Sequence, residues 1–217
     1  NIFMQINLSL AQTLRQATKE VIKNVEVSQN LDLRNFIVVP DRFSLQAEKL
    51  LFQELGISST FNIDVISISK LASLVLKLSG NQFKTQSNLE GMLLVYKILI
   101  EHQAEFESLK DANLSIDLAK EIFLTISQLK SCEISADKFL KSANELANQK
   151  LIDIAKIYSF YECSEREKID AADLITLFAQ QIEESELIKN SNFYFAEFDS
   201  FTSQVKTIIE LLVKCSR

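Results

Sequence analysis

Glycine and proline are nearly missing from this chain, with three and one in 217 residues. So few turn-formers argue against an all-β fold or a disordered linker and favour long helices. The one histidine, His102, removes multi-histidine metal sites and speaks against a serine or cysteine triad. With no orienting partner in view, His102 reads as a polar residue near a helix end. Cys132, Cys163 and Cys215 are odd in number and widely spaced, so neither a disulfide framework nor a zinc site is expected. No apolar run approaches the roughly 20 residues that span a bilayer, and Asn1 to Ser9 lacks a basic segment followed by an apolar core. No membrane role and a cytoplasmic location are therefore expected. The net charge is −6 and no run of Lys or Arg stands out. That weighs against bulk capture of nucleic acid and leaves room only for a local basic patch.

What is present is ordinary for a soluble protein: 47% apolar and 24% charged residues, in a length that suits one large domain or two small ones. The cleanest signal is Phe36 to Leu55. Phe36, Ile37, Val38 and Val39 form an uninterrupted apolar run, which suits a strand covered on both faces. Pro40 stops the ladder, because it has no amide hydrogen. Asp41 and Ser44 then offer N-caps to a helix carrying Leu45, Leu51, Phe52 and Leu55. Strand, turn and helix in succession build open parallel sheets, whose ligand side is the edge where strands end. Asp41, Arg42, Phe43 and Ser44 should lie on that rim, although the same residues also read simply as cap and turn.

Either side of this unit the pattern repeats. Ile2 to Ile6 reads as a first strand, followed by a helix with Leu10, Leu14, Ala17 and Val21 on one face. From Asn7 to Lys19 there is no glycine, so the backbone cannot form a GxxxxGK[ST] anion cradle. Asn24 to Arg34 reads as a polar loop. After Gly56, a C-cap candidate, Phe61 to Ser69 reads as a second parallel strand, with a helix from Lys70 to Leu78 closing at Gly80. From Ser87 to about Ser164 only helical periodicity is found. The stripes are Leu89, Met92, Tyr96 and Leu99 or Ile100; Leu118, Ile122, Ile126 and Leu129, capped by Asn113 or Ser115; Phe139, Leu140, Ala143 and Leu146, after Ser135; and Leu151, Ile154, Tyr158 and Tyr161. Four amphipathic helices can close a small bundle. Beyond Asp170, Leu174, Leu177, Phe178 and Ile182 mark a helix with an acidic first turn. Asn192 to Ser200 reads as a third strand, and Thr202 caps a last helix with Val205, Ile208, Ile209 and Leu212 facing inward.

Four stretches carry a family resemblance, in the family's order. VVPDRFSLQAEKLL (Val38 to Leu51) resembles the VPxxFTxQAE stretch of AddB-type, RexB-like subunits of bacterial helicase-nucleases. VISISKLA (Val65 to Ala72) is similar to their VxSFSRLA segment. IDAADLITLFAQQI (Ile169 to Ile182) resembles the helix preceding the Walker B strand, and YFAEFDSFTSQVKTIIELL (Tyr194 to Leu212) resembles the strand with DxFxxFTPQE. The resemblance implies an α/β fold: a parallel RecA-like three-layer sheet, residues 1–81 and 169–217, interrupted by an all-helical insertion subdomain at 82–168. It further implies a portion of a longer DNA-repair protein that binds single-stranded DNA and works with an AddA-type helicase-nuclease subunit.

In that alignment Ala196 replaces the Walker B aspartate, with Glu197 and Asp199 beside it. A methyl group cannot hold the water shell of Mg²⁺, so no catalytic residue, metal or cofactor is expected here. None of the three cysteines matches the family's downstream iron-sulfur ligands. Transferred by position, Arg42, Phe43, Ser44, Ser67, Ser69 and Lys70 become the nucleic-acid-binding candidates, through phosphate contacts, hydroxyl bonds and a stacking ring. Two other readings remain: a nucleotide hydrolase with an unorthodox site using Glu197 and Asp199, and a helical protein-interaction module.

Overall fold

The computed structural model describes residues 14–24, 34–55, 63–164 and 167–215. In chain order the elements begin with α1 (Leu14–Asn24), β1 (Arg34–Val38), α2 (Ser44–Leu55), β2 (Ile63–Ile66), α3 (Ile68–Leu78), β3 (Lys84–Thr85) and α4 (Asn88–His102). They continue with α5 (Ile116–Ser131), α6 (Ala136–Glu145), α7 (Gln149–Cys163), β4 (Lys168–Ile169), α8 (Ala171–Gln181), α9 (Glu186–Lys189), β5 (Ser191–Phe195) and α10 (Ser203–Cys215). The expected strand at Ile2 to Ile6, the start of the first helix, most of the loop before Arg34, and Gly56 lie outside the described residues, as do the side chains of Leu14, Val21 and Leu55. The chain divides into two compact units, one comprising Asn1–Gln82, Leu174–Phe201 and Val205–Arg217, the other Phe83–Asp173 with Thr202–Gln204.

The first unit is mixed α/β. Its described sheet has three parallel strands in the order β2-β1-β5, with Val38 level with both Ile66 and Phe195. Phe36, Ile37, Val38 and Val39 are all fully buried, as an apolar run without alternation requires of a strand covered on both faces. Pro40 then ends β1, and a single 3₁₀ turn, Asp41–Phe43, closes with the Phe43 amide donating to the Pro40 carbonyl at 2.9 Å. The turn expected between strand and helix is thus a 3₁₀ turn, which holds the cap candidate Asp41, while the other candidate, Ser44, is the first residue of α2. The core face of α2 is also different: Ala47, Leu50 and Leu51 are buried, whereas Leu45 is 64% exposed. In α1 the buried positions are Thr18 and Ile22, one place on from the expected Ala17.

Both outer strands are shorter than their apolar runs. β2 ends at Ile66 because Ser67 adopts extended geometry and caps α3, accepting from the Lys70 amide at 3.4 Å. Gly80, at φ +80°, sits just beyond α3, where a left-handed residue lets the Asn81 amide return to the Leu76 carbonyl. β5 ends at Phe195, since Glu197 turns the chain with φ +63°.

The second unit holds α4 to α7 and a two-residue parallel pair, β3 with β4. Serine caps start three of its helices: Ser87 accepts from the Glu90 amide, Ser115 from the Leu118 amide and Ser135 from the Lys138 amide. The core joins Val95, Ile98, Leu99, Phe106, Ile122, Phe123, Ile126, Ile157, Tyr158 and Tyr161. On α4 the buried stripe is Gly91, Val95, Ile98 and Leu99; of the expected Leu99 or Ile100 it is Leu99 that turns in, and Leu89 faces out instead of in. α6 lies against α7 and buries only Ala136 and Ala143, leaving Leu146 exposed.

Candidate nucleic-acid interface

All the rim candidates belong to the first unit, and strand register explains why they converge. Val38, Ile66 and Phe195 are level, and the ladder runs one step further through the Val39 amide to the Ile66 carbonyl and the Ala196 amide to the Val38 carbonyl, both 3.0 Å. Three parallel strands thus end together. The segments that continue them, Asp41 to Ser44, Ser67 to Lys70 and Ala196 to Asp199, leave the sheet at one edge.

Between the ends of β1 and β5, the Arg42 guanidinium donates to Asp199 Oδ2 at 2.5 Å and lies 4.8 Å from the Phe43 ring centre. One face of the ring is therefore covered by a cation, and Phe43 also packs on the core. Between β1 and β2, Ser69 Oγ donates to Asp41 Oδ2 at 3.3 Å, and the Ser67 and Ser69 hydroxyls are 3.1 Å apart. Ser44 Oγ turns inward to the Asp41 carbonyl at 3.0 Å. Lys70 is exposed and makes no ion pair among the described residues.

The rim is thus a mutually bonded set in which two carboxylates occupy a cation and a hydroxyl. Both members of the Arg42–Asp199 pair are more than half exposed, where the exchange of one anion for another costs little. Asp199 as the partner of Arg42, and Asp41 as the acceptor for Ser69, were not legible as pairs. The only sequence signal for either was a strand-end position.

The end of β5 differs in character. Ala196 is buried in the apolar core, packed with Val39 and Ala47. Glu197 is buried too, and its carboxylate accepts from the Thr18 hydroxyl on α1. A non-glycine residue in the left-handed region stores strain of about 1 to 3 kcal/mol, so this contact holds Glu197 in an otherwise unfavourable turn. Thr18 could have been noticed as a polar residue within an apolar helical face. Among the described residues there is no group of three or more His, Cys, Asp or Glu side chains that could hold a metal, and no helix long and apolar enough to cross a membrane.

Residues 14–217 match the family described as ADDB, N-terminal. The chain belongs to this family. Among its relatives, the B subunit of the ATP-dependent helicase/deoxyribonuclease of Clostridium kluyveri is 29% identical over 195 residues, which cover 87% of this chain and 17% of that protein. The proteins of the same name from Clostridium acetobutylicum and Oceanobacillus iheyensis are 28% and 26% identical, covering 89% and 83% of this chain and again 17% of each relative. The chain thus spans about 17% of the length of the curated relatives it matches. In this AddB N-terminal domain the VVPDRFSLQAE stretch forms the end of β1, its turn and the start of α2, the unit that carries Arg42, Phe43 and Ser44.

Proposed function

We propose that this chain is the helicase-like portion of a DNA-repair helicase-nuclease subunit that does not itself turn over nucleotide. It acts as a scaffold, and its strand-end rim receives single-stranded DNA; in the whole protein its partner is an AddA-type subunit. The sheet is read as part of a RecA-like domain, with residues 82–168 as its helical insertion. The observation that carries this reading is the common register of β2, β1 and β5, which gathers Arg42, Phe43, Ser44, Ser67, Ser69 and Lys70 at one edge. Cations there would meet phosphates, the Ser67 and Ser69 hydroxyls would bond the strand, and the Phe43 ring edge would contact a base. The loss of the Walker B carboxylate to Ala196, and the engagement of Glu197 by Thr18, support a role without catalysis.

Anisotropy of a labelled oligothymidine at several salt concentrations tests this. Arg42→Ala with Lys70→Ala should weaken binding and flatten the salt slope by about 1.4, at roughly 0.7 per phosphate of a single strand. Phe43→Ala should weaken it with the slope unchanged. Binding that ignores all three substitutions overturns the rim. The interaction-module reading draws support from α4, where Leu89, Leu93 and Ile100 are 59%, 45% and 54% exposed on a helix whose other side is core.

A further inference from the structure

Beside the rim, α1 and α2 enclose a groove of about 400 Å³ lined by Arg15, Arg42, Leu45, Gln46, Lys49, Leu50 and Gln53. Its composition runs against that of the chain. The protein carries a net charge of −6, yet the described lining holds three cations, two amides and no carboxylate. Gln46, Lys49 and Gln53 follow one another at three and four residues, so α2 presents them as a single stripe, with Arg42 in the 3₁₀ turn just before it. From Gln46 to Gln53 that wall is roughly 10 Å long, at 1.5 Å per residue. Arg15 stands on the opposite wall, from α1.

Two other cations of this unit are matched with acids: Arg34 with Asp64 at 2.5 Å, and, between these same two helices, Lys19 with Glu54 at 3.1 Å. Arg15 and Lys49 differ. Both are exposed, and neither makes an ion pair among the described residues. Placing two unpaired cations on facing walls raises the local positive potential, which an oxyanion between them would relieve. The glutamine amides add donors that carry no charge cost, and Leu45, 64% exposed, gives an apolar lip of the kind a sugar or base can lie on. Arg42 belongs to both rim and groove, so the two surfaces are continuous.

We propose that this groove is a second phosphodiester-binding site, in which Arg15 and Lys49 hold the backbone of a single strand as it leaves the rim past Arg42. This rests on the rim reading for its ligand but on different residues for its contacts. The test uses this chain with labelled oligothymidines of about 5 and about 20 nucleotides, lengths bracketing common single-strand site sizes. Arg15→Gln with Lys49→Gln removes both charges while keeping a polar side chain and comparable helix propensity, and far-UV circular dichroism verifies the fold.

The expected result is a several-fold loss of affinity for the long oligonucleotide, a salt slope lower by about 1.4, and little change for the short one. Lys70→Ala, a rim substitution outside the groove, should weaken both lengths. If Lys70→Ala weakens binding while the Arg15 and Lys49 pair does not, the groove proposal is overturned and the rim stands. If only the Arg15 and Lys49 pair matters, the groove stands and the rim falls. Binding of neither length, or indifference to every substitution, overturns both.

Discussion

Lys130 Nζ lies 2.7 Å from Asp170 Oδ2, inside a shell completed by Asp173 at 2.8 Å and Glu162 at 2.9 Å. Lys130 is 8% exposed, and the Tyr161 hydroxyl also reaches Asp170, at 3.3 Å. Burial disfavours the ammonium, but hydrogen bonds to Asp170, Asp173 and Glu162 outweigh it and raise the Lys130 pKa above its ordinary value. One lysine thus joins α5, α7 and the first turn of α8.

Removing it should be costly. Lys130→Met removes the buried ammonium that Asp170, Asp173 and Glu162 share and is expected to destabilise the protein by about 3 to 5 kcal/mol. Urea unfolding followed by circular dichroism measures this. A change below about 1 kcal/mol would mean that the cluster is a solvated surface network.

The same unit sets opposite pH limits. Burial, with Glu162 nearby, raises the Tyr158 hydroxyl from 10.0 to about 12, so its contribution is complete below pH 10 and is lost as the pH rises through 12. Glu90 runs the other way. Hydrogen bonds from Lys168 and from the Ser87 amide and hydroxyl lower it from 4.5 to about 2, so its contribution is present above pH 4.5 and disappears as the pH falls towards 2. Melting temperature against pH should therefore fall at both ends. Tyr158→Phe should blunt only the alkaline fall and Glu90→Gln only the acid one; a substitution that alters the opposite limb would contradict the assignment.

Gly91 on α4 faces the Phe123 ring of α5 in the helical core. A methyl group added there would overlap the Phe123 ring. Gly91→Ala should therefore destabilise despite a helix-propensity gain of about 1 kcal/mol, because overpacking typically costs about 1 to 3 kcal/mol. Combining it with Phe123→Leu should recover part of the loss in a double-mutant cycle. A stabilised single variant would mean that the ring moves aside freely.

At the rim, Asp199→Asn should leave stability within about 1 kcal/mol, since the pair it breaks is well exposed. It also releases Arg42. If that cation meets a phosphate, oligothymidine should bind more tightly and the salt slope should steepen by up to about 0.7. Weaker binding by this variant would make Asp199 part of the surface that recognises the strand, in place of a competitor for Arg42.

The sequence by itself determined the local units. The run Phe36 to Val39 with Pro40 after it could only be a covered strand that stops, and Ser135 and one of Asn113 or Ser115 were legible as helix starts because a short polar side chain satisfies amides that have no partner within the helix, whereas Ser67, which caps α3, read as part of a strand. The motif order along the chain was equally legible, and it named the family. Tertiary structure alone decided the helix faces. α4 carries Leu89, Val95, Ile98 and Ile100 around its circumference, so periodicity admits more than one buried stripe, and the ring of Phe123 against Gly91 selects one. It also decided the pairings. Arg42 and Asp199 are 157 residues apart, Lys130 and Asp170 are 40, and no local rule links them. Those contacts exist because β1 lies between β2 and β5, and because α5 and α7 pack so that a lysine and its carboxylates share one desolvated space.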